Sequence, residues 1–288
     1  MSAHRSSTAQ NYECAHRNSI AHDAYSSISG GGVSIAAALR VNSTLETLDV
    51  KSNGIGAGAS EFTRVIRENR NLQTLIMDNN GIGSACVAYL AMDLGNNRTL
   101  GSFSIGGNVI AYEGAIAIAQ ALRVNGTLAE LCVDSGSIGS DGINEISRAL
   151  EQNTSLLYIN LDGNDASGAL FLSSMLRVNH TLQGVSLSGS RLGSDGLTEI
   201  ADALCVNTAL INLWADENEI YDSGAIALAN AIRVNRMLKN VSLSDNMIGT
   251  PGINALVDAL SMNDTIEQIT LAGNDFDDEV MYDFRLEM

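Results

Sequence analysis

Apolar residues fall along this chain in two alternating rhythms. In Leu238 to Asn246, LKNVSLSDN, they stand at Leu238, Val241 and Leu243, which predicts a short strand with one face turned inward. In Gly224 to Asn235, GAIALANAIRVN, small and apolar residues recur at i, i+3, i+4 and i+7, which predicts a helix with one buried stripe. Strand and helix then alternate almost from end to end. Aligning Leu210–Asn235 with Leu238–Asn263 matches residue types at an offset of 28, and units open at Leu45, Leu72, Leu100, Leu128, Leu156, Leu182, Leu210, Leu238 and Ile266. Nine strand modules follow, stacked in one elongated array rather than folded as separate domains. Because helices are bulkier than strands, such a stack bends with its strands on the concave side and its helices on the convex side.

Polar residues are equally periodic. Asn occupies the ninth position of most units, at Asn53, Asn80, Asn108, Asn164, Asn218, Asn246 and Asn274, where its amide can serve backbone groups left unpaired by the turn. Gly136 and Ser190 interrupt that column. Several N-x-[ST] triplets, beginning at Asn42, Asn97, Asn125, Asn153, Asn179 and Asn263, fall at the same turn of the repeat. They are read as helix ends, Asn tolerating a left-handed conformation there, in preference to glycosylation. Two irregularities stand out. The unit opening at Leu156 is two residues short between Asn164 and Gly168, and Asp93 occupies a column of small and apolar residues, where it destabilises unless its carboxylate reaches solvent or a donor.

The recurring pattern L-x-x-L-x-L-x-x-N-x-I-G-x-x-G, followed by A-L-x-x-N, resembles the leucine-rich repeat of the ribonuclease-inhibitor-like type over roughly residues 28–274. The resemblance implies an α/β fold, a curved horseshoe with parallel strands inside and helices outside, over a solenoid of residues 28–276. Residues 1–27 are then a polar tail or degenerate cap, and residues 277–288 a C-terminal cap. The family includes ribonuclease inhibitors, sensor regions of immune receptors and Ran GTPase-activating proteins. The last of these present an arginine from a repeat loop, a role that would fall here to Arg191.

Charge narrows the partners. Lys and Arg total 16 against 33 Asp and Glu, a net charge of −17 that repels nucleic-acid backbones and anionic lipid. No apolar run long enough to span a membrane and no secretory leader are present, so a cytoplasmic monomer is expected. The four cysteines have no C-x-x-C spacing, so neither a disulfide framework nor a zinc site is expected. Cys14, His16, His22 and Asp23 match no metal pattern, and Asp275, Asp277, Asp278 and Glu279 lack the ordered ligands and turn glycine of a calcium loop. With no nucleophile motif and His180 in a surface turn, neither an enzyme nor a cofactor is expected.

Candidate binding residues lie at the outward positions of the strands. Trp214, the sole tryptophan, stands where small polar residues are usual, with Asp216 and Glu217 beside it and Tyr158 in a neighbouring column. Asp162, Asp134 and Asp78 share the column of Asp216. An aromatic residue among carboxylates suits a hot spot for a basic protein, the ring supplying contact area and the charges steering. Cys132, on the same face, is read as a passive thiol.

Overall fold

The computed structural model describes residues 29–167 and 169–276, in which strand and helix alternate throughout. After α1 (Ser29–Leu39) come β1 (Thr47–Asp49), a 3-10 turn (Gly56–Glu61), α2 (Phe62–Glu68), β2 (Thr74–Ile76), α3 (Ser84–Asn96), β3 (Ser102–Ser104) and α4 (Ala111–Leu122). The chain continues through β4 (Glu130–Cys132), α5 (Gly139–Leu150), β5 (Tyr158–Asn160), α6 (Leu170–Val178), β6 (Gly184–Ser186) and α7 (Gly193–Leu204). It ends with β7 (Asn212–Trp214), α8 (Asp222–Val234), β8 (Asn240–Ser242), α9 (Thr250–Leu260) and β9 (Gln268–Thr270). The nine strands form one parallel sheet in chain order, an unclosed curved solenoid. Register follows the sequence repeat: Thr47 pairs with Thr74, Thr74 with Ser102, and so on to Asn240 with Gln268. The proposed end segments, residues 1–27 and 277–288, lie outside the described residues, as do Cys14, His16, His22, Asp23, Asp277, Asp278 and Glu279.

The core is the layer between sheet and helices. Each unit contributes leucine-type residues from its strand, such as Leu210, Leu213 and Ala215, and a helical stripe such as Ala225, Leu228, Ala229 and Ile232, all buried. A three-residue strand flanked by such a stripe cannot bury its apolar face alone, so each layer is stabilised by its neighbours.

Buried asparagines bind the layers. Asn80 Nδ2 donates to Val50 O of the preceding unit and to Met77 O and Asp78 O of its own, while its Oδ1 accepts from Asn53 N and Ile55 N. Asn218 repeats this, donating to Leu187 O and Asp216 O and accepting from Ser190 N and Leu192 N. Where Gly136 replaces Asn, its backbone carbonyl takes Ile110 N directly, and at Ser190 the hydroxyl reaches Leu161 O.

The helix-end asparagines differ from expectation. Asn69, Asn97, Asn179 and Asn235 have extended backbones, with φ between −81 and −68, not left-handed ones. Each works through its side chain: Asn97 Nδ2 donates to Ile66 O at the end of the previous helix, while Oδ1 accepts from Thr99 N and Leu100 N. Asn97, Asn125, Asn153 and Asn179 are buried, which leaves their amides inaccessible to a glycosyl group. Left-handed residues fall elsewhere, and one stands just before the ninth position of each unit, at Ser52, Asn79, Gly107, Ser135, Gly163, Gly189, Glu217, Asp245 and Gly273.

Asp93 finds the donor it needs. Arg67 Nε meets its Oδ1 at 3.1 Å and Arg67 Nη2 its Oδ2 at 3.3 Å, a two-pronged pair. The short unit shows its deletion in α6, which has 9 residues where α5 and α7 have 12.

Candidate functional site

Successive side chains of a strand alternate in direction, so the third, fifth and seventh positions of each unit form columns across the concave face. Neighbouring strands lie about 4.8 Å apart, so one column is a closely spaced row. The seventh-position column reads Lys51, Asp78, Gly106, Asp134, Asp162, Ser188, Asp216, Ser244 and Ala272.

Three of its carboxylates make the same arrangement. Asp78 Oδ1 accepts from Ser104 Oγ at 2.6 Å and Gly106 N at 2.9 Å in the next unit. Asp162 Oδ1 accepts from Ser186 Oγ and Ser188 N, both at 2.6 Å. Asp216 Oδ1 accepts from Ser242 Oγ and, at 2.6 Å, from Ser244 N. One oxygen of each aspartate therefore ties its strand to the next. The sequence signal for this was present, an Asp at the seventh position followed by a Ser at the fifth position of the following unit, but reading the acids as charges alone misses it.

Asp134 lies between Asp78 and Asp162 in the row. A Cβ on Gly106 would stand 2.3 Å from Asp134 Oδ1, so this carboxylate leans across the glycine towards Asp78. Burial is the largest cause that raises the pKa of Asp78 above the usual carboxylate value, and the negative charge of Asp134 adds to it while hydrogen bonds from Ser104 and Gly106 oppose it. Asp162 is raised in the same way, by burial first and then by Asp134, against hydrogen bonds from Ser186 and Ser188. The row thus holds crowded, half-buried negative charge.

Tyr158 and Trp214 meet across one intervening strand. Their ring centroids are 5.8 Å apart with planes at 87°, an edge-to-face pair. Gly184 lies between them, and a Cβ there would approach Tyr158 Cδ2 to 2.9 Å and Trp214 Cζ3 to 3.3 Å. Tyr158 is buried, only 5% exposed, and burial raises its pKa with help from the charge of Asp162. Trp214 is half-buried, so the exposed aromatic expected from the sequence is one edge-supported ring over a second, covered one.

The remaining candidates separate. Asp216 is parted from Asp162 by Ser188, and Glu217, with φ +55, belongs to the turn that leaves the sheet rather than to the column. Cys132 is buried and disulfide-bonded, which corrects its reading as a passive thiol and the expectation drawn from cysteine spacing; Cys86 and Cys205 are free. Among the described residues no group of His, Cys, Asp and Glu has the arrangement to hold a metal ion, and no helix is long and apolar enough to cross a membrane.

A family model described as "Leucine Rich repeat" matches residues 41–58, 96–119 and 234–257. The matched segments open at Val41, Asn96 and Val234, in the same phase ahead of Leu45, Leu100 and Leu238. Leucine-rich repeats are thus identified at these three stretches of the chain. Among solved structures, the chain is similar to "Leiomodin-1 Actin-Binding Site 2 (ABS2)" at 19% identity and a TM-score of 0.39, over 72% of this chain and 88% of that one. That likeness is too distant to carry function across. A search of curated proteins finds no match.

Proposed function

We propose that this protein is a non-catalytic, monomeric scaffold of the ribonuclease-inhibitor-like type that holds a basic protein surface against its concave face. The observation that carries this reading is the state of the aspartate row. Asp78 and Asp162 each commit one oxygen to the neighbouring strand while burial and Asp134 oppose their ionisation. A cation laid along the row would relieve that repulsion, and the net charge of −17 would steer it there. Tyr158 and Trp214 add a rigid aromatic contact beside it.

The alternative, stimulation of a GTPase by Arg191, has less in its favour. Arg191 is exposed in the loop after Ser190, but it already faces the carboxylate of Asp165, whose pKa is lowered chiefly by Ser167 and in part by that arginine. The test is capture of partners by the intact protein, Trp214→Ala and Arg191→Ala in parallel, at low and moderate salt. The scaffold reading expects one partner lost with Trp214→Ala, weakened by salt and retained by Arg191→Ala. Retention by Trp214→Ala with no effect of salt contradicts it.

A further inference from the structure

Beside Trp214 the concave face sinks into a hollow of about 140 Å³, lined by Asn212, Trp214, Asn240, Ser242, Gln268 and Thr270 together with Val241. Its lining carries no formal charge, yet the hydrogen bonds behind it fix which way its polar groups face. A carboxylate only accepts, so Ser242 Oγ must give its proton to Asp216 Oδ1. Ser242 Oγ also lies 2.5 Å from Thr270 Oγ1. With the serine proton already spent, Thr270 is the donor in that contact. Its hydroxyl oxygen keeps only lone pairs for anything entering the hollow.

The amides are polarised in the same sense. Asn240 Nδ2 donates to Asn212 Oδ1 at 2.6 Å, which turns Asn240 Oδ1 away from β7 and towards the β9 side. With its Nδ2 given to Asn212, Asn240 Oδ1 remains an open acceptor among the described residues. Gln268, exposed at the rim with no hydrogen bond to its side chain among those residues, is free to turn its amide oxygen towards an incoming donor.

The hollow therefore presents acceptors from Thr270, Asn240 and Gln268 beside one half-exposed indole. We infer that it is a subsite for an arginine side chain of the basic partner, which rests on the function proposed above and names the residue that partner must supply. A guanidinium is planar, donates through five N–H groups, accepts nothing and stacks on an indole face. Lysine carries the same charge but is a compact, strongly hydrated point that gains less from a flat, acceptor-lined site.

Trp214, being the sole tryptophan, reports on the hollow by its own fluorescence. The probes are two capped octapeptides of equal charge, one alternating Gly and Arg, the other Gly and Lys, titrated into the full chain at low salt. The arginine peptide should bind about tenfold more tightly and alter the tryptophan emission. Gln268→Ala and Thr270→Val should remove most of that preference while leaving the lysine peptide's affinity unchanged. Both are mild changes at an exposed or half-exposed site, and an unchanged far-ultraviolet dichroism confirms folding. Equal affinity for the two peptides, with both weakened by salt, overturns the arginine subsite and leaves the acidic-face reading standing. Binding of neither peptide overturns both. A preference that survives Gln268→Ala and Thr270→Val places the arginine elsewhere and overturns the assignment to this hollow.

Discussion

Two polar columns run the length of the solenoid, and they behave differently. The ninth-position asparagines recur in most units, are buried at Asn80, Asn108, Asn164, Asn218 and Asn246, and are paired at both ends of their amides, as at Asn80 and Asn218. The seventh-position column changes from residue to residue, is half-buried, and sets Asp78, Asp134 and Asp162 against one another. The first column pairs backbone groups that stacking would otherwise leave open. The second ties strand to strand through Asp78, Asp162 and Asp216 and crowds like charge along the row. In a repeat protein, repetition marks what each layer needs in order to stack, and departure from repetition marks where the array is used.

The largest expected effect breaks the first column. Asn218→Ala removes four hydrogen bonds and leaves Ser190 N, Leu192 N and Leu187 O buried and unpaired, so chemical denaturation should show a loss of about 3 kcal/mol. A loss as small as that from a surface substitution would mean that the column is ornamental.

A smaller effect is expected at Gly184. Gly184→Ala drives a methyl into the Tyr158 ring and should cost about 1–2 kcal/mol, with a change in Trp214 emission showing that the aromatic pair has moved. Stability lost with the emission unchanged would separate the two rings energetically.

Asp162→Asn sharpens the comparison through pH. The folded pKa of Asp162 is raised above 3.8, so the folded state holds its proton more tightly than the unfolded chain does. Stability from this group is therefore greatest below 3.8 and is lost as pH rises through the folded pKa. Wild type should gain stability as the pH is lowered from neutral, and Asp162→Asn, which keeps an oxygen for Ser186 and Ser188, should show a shallower pH slope and equal or greater stability at neutral pH. A steeper slope in the variant would reverse the assignment.

The smallest effect is at Glu217, held at φ +55 where other units use Gly, Ser, Asn or Asp. Glu217→Gly should raise stability by about 0.5 kcal/mol, read as a small upward shift of the melting temperature.

Much of the fold was legible because its signals are periodic and local: Leu210, Leu213 and Leu238, Val241 repeat one strand, and the register between β7 and β8 is the sequence offset itself. The helix-end asparagines were placed correctly but explained wrongly, because the bond from Asn97 to Ile66 O joins two layers and has no local signature. The site was legible only in part. Its acids and Trp214 stand out by composition, but the tie from Asp216 to Ser242, the glycine gap at Gly184 and the hollow at Asn240, Gln268 and Thr270 depend on which side chains face each other across strands. Glu217 is near Trp214 in sequence and leaves the face only because its backbone turns.

The central claim is that position, rather than overall acidity, makes the concave row a site for basic partners. The direct measurement compares binding of the alternating Gly–Lys octapeptide by Asp134→Asn/Asp162→Asn with binding by Asp141→Asn/Asp195→Asn, which removes the same charge from the first turns of α5 and α7. The account predicts about a tenfold loss for the concave pair and little for the helical pair. Equal losses from both would contradict it, leaving an acidic protein with no face of its own.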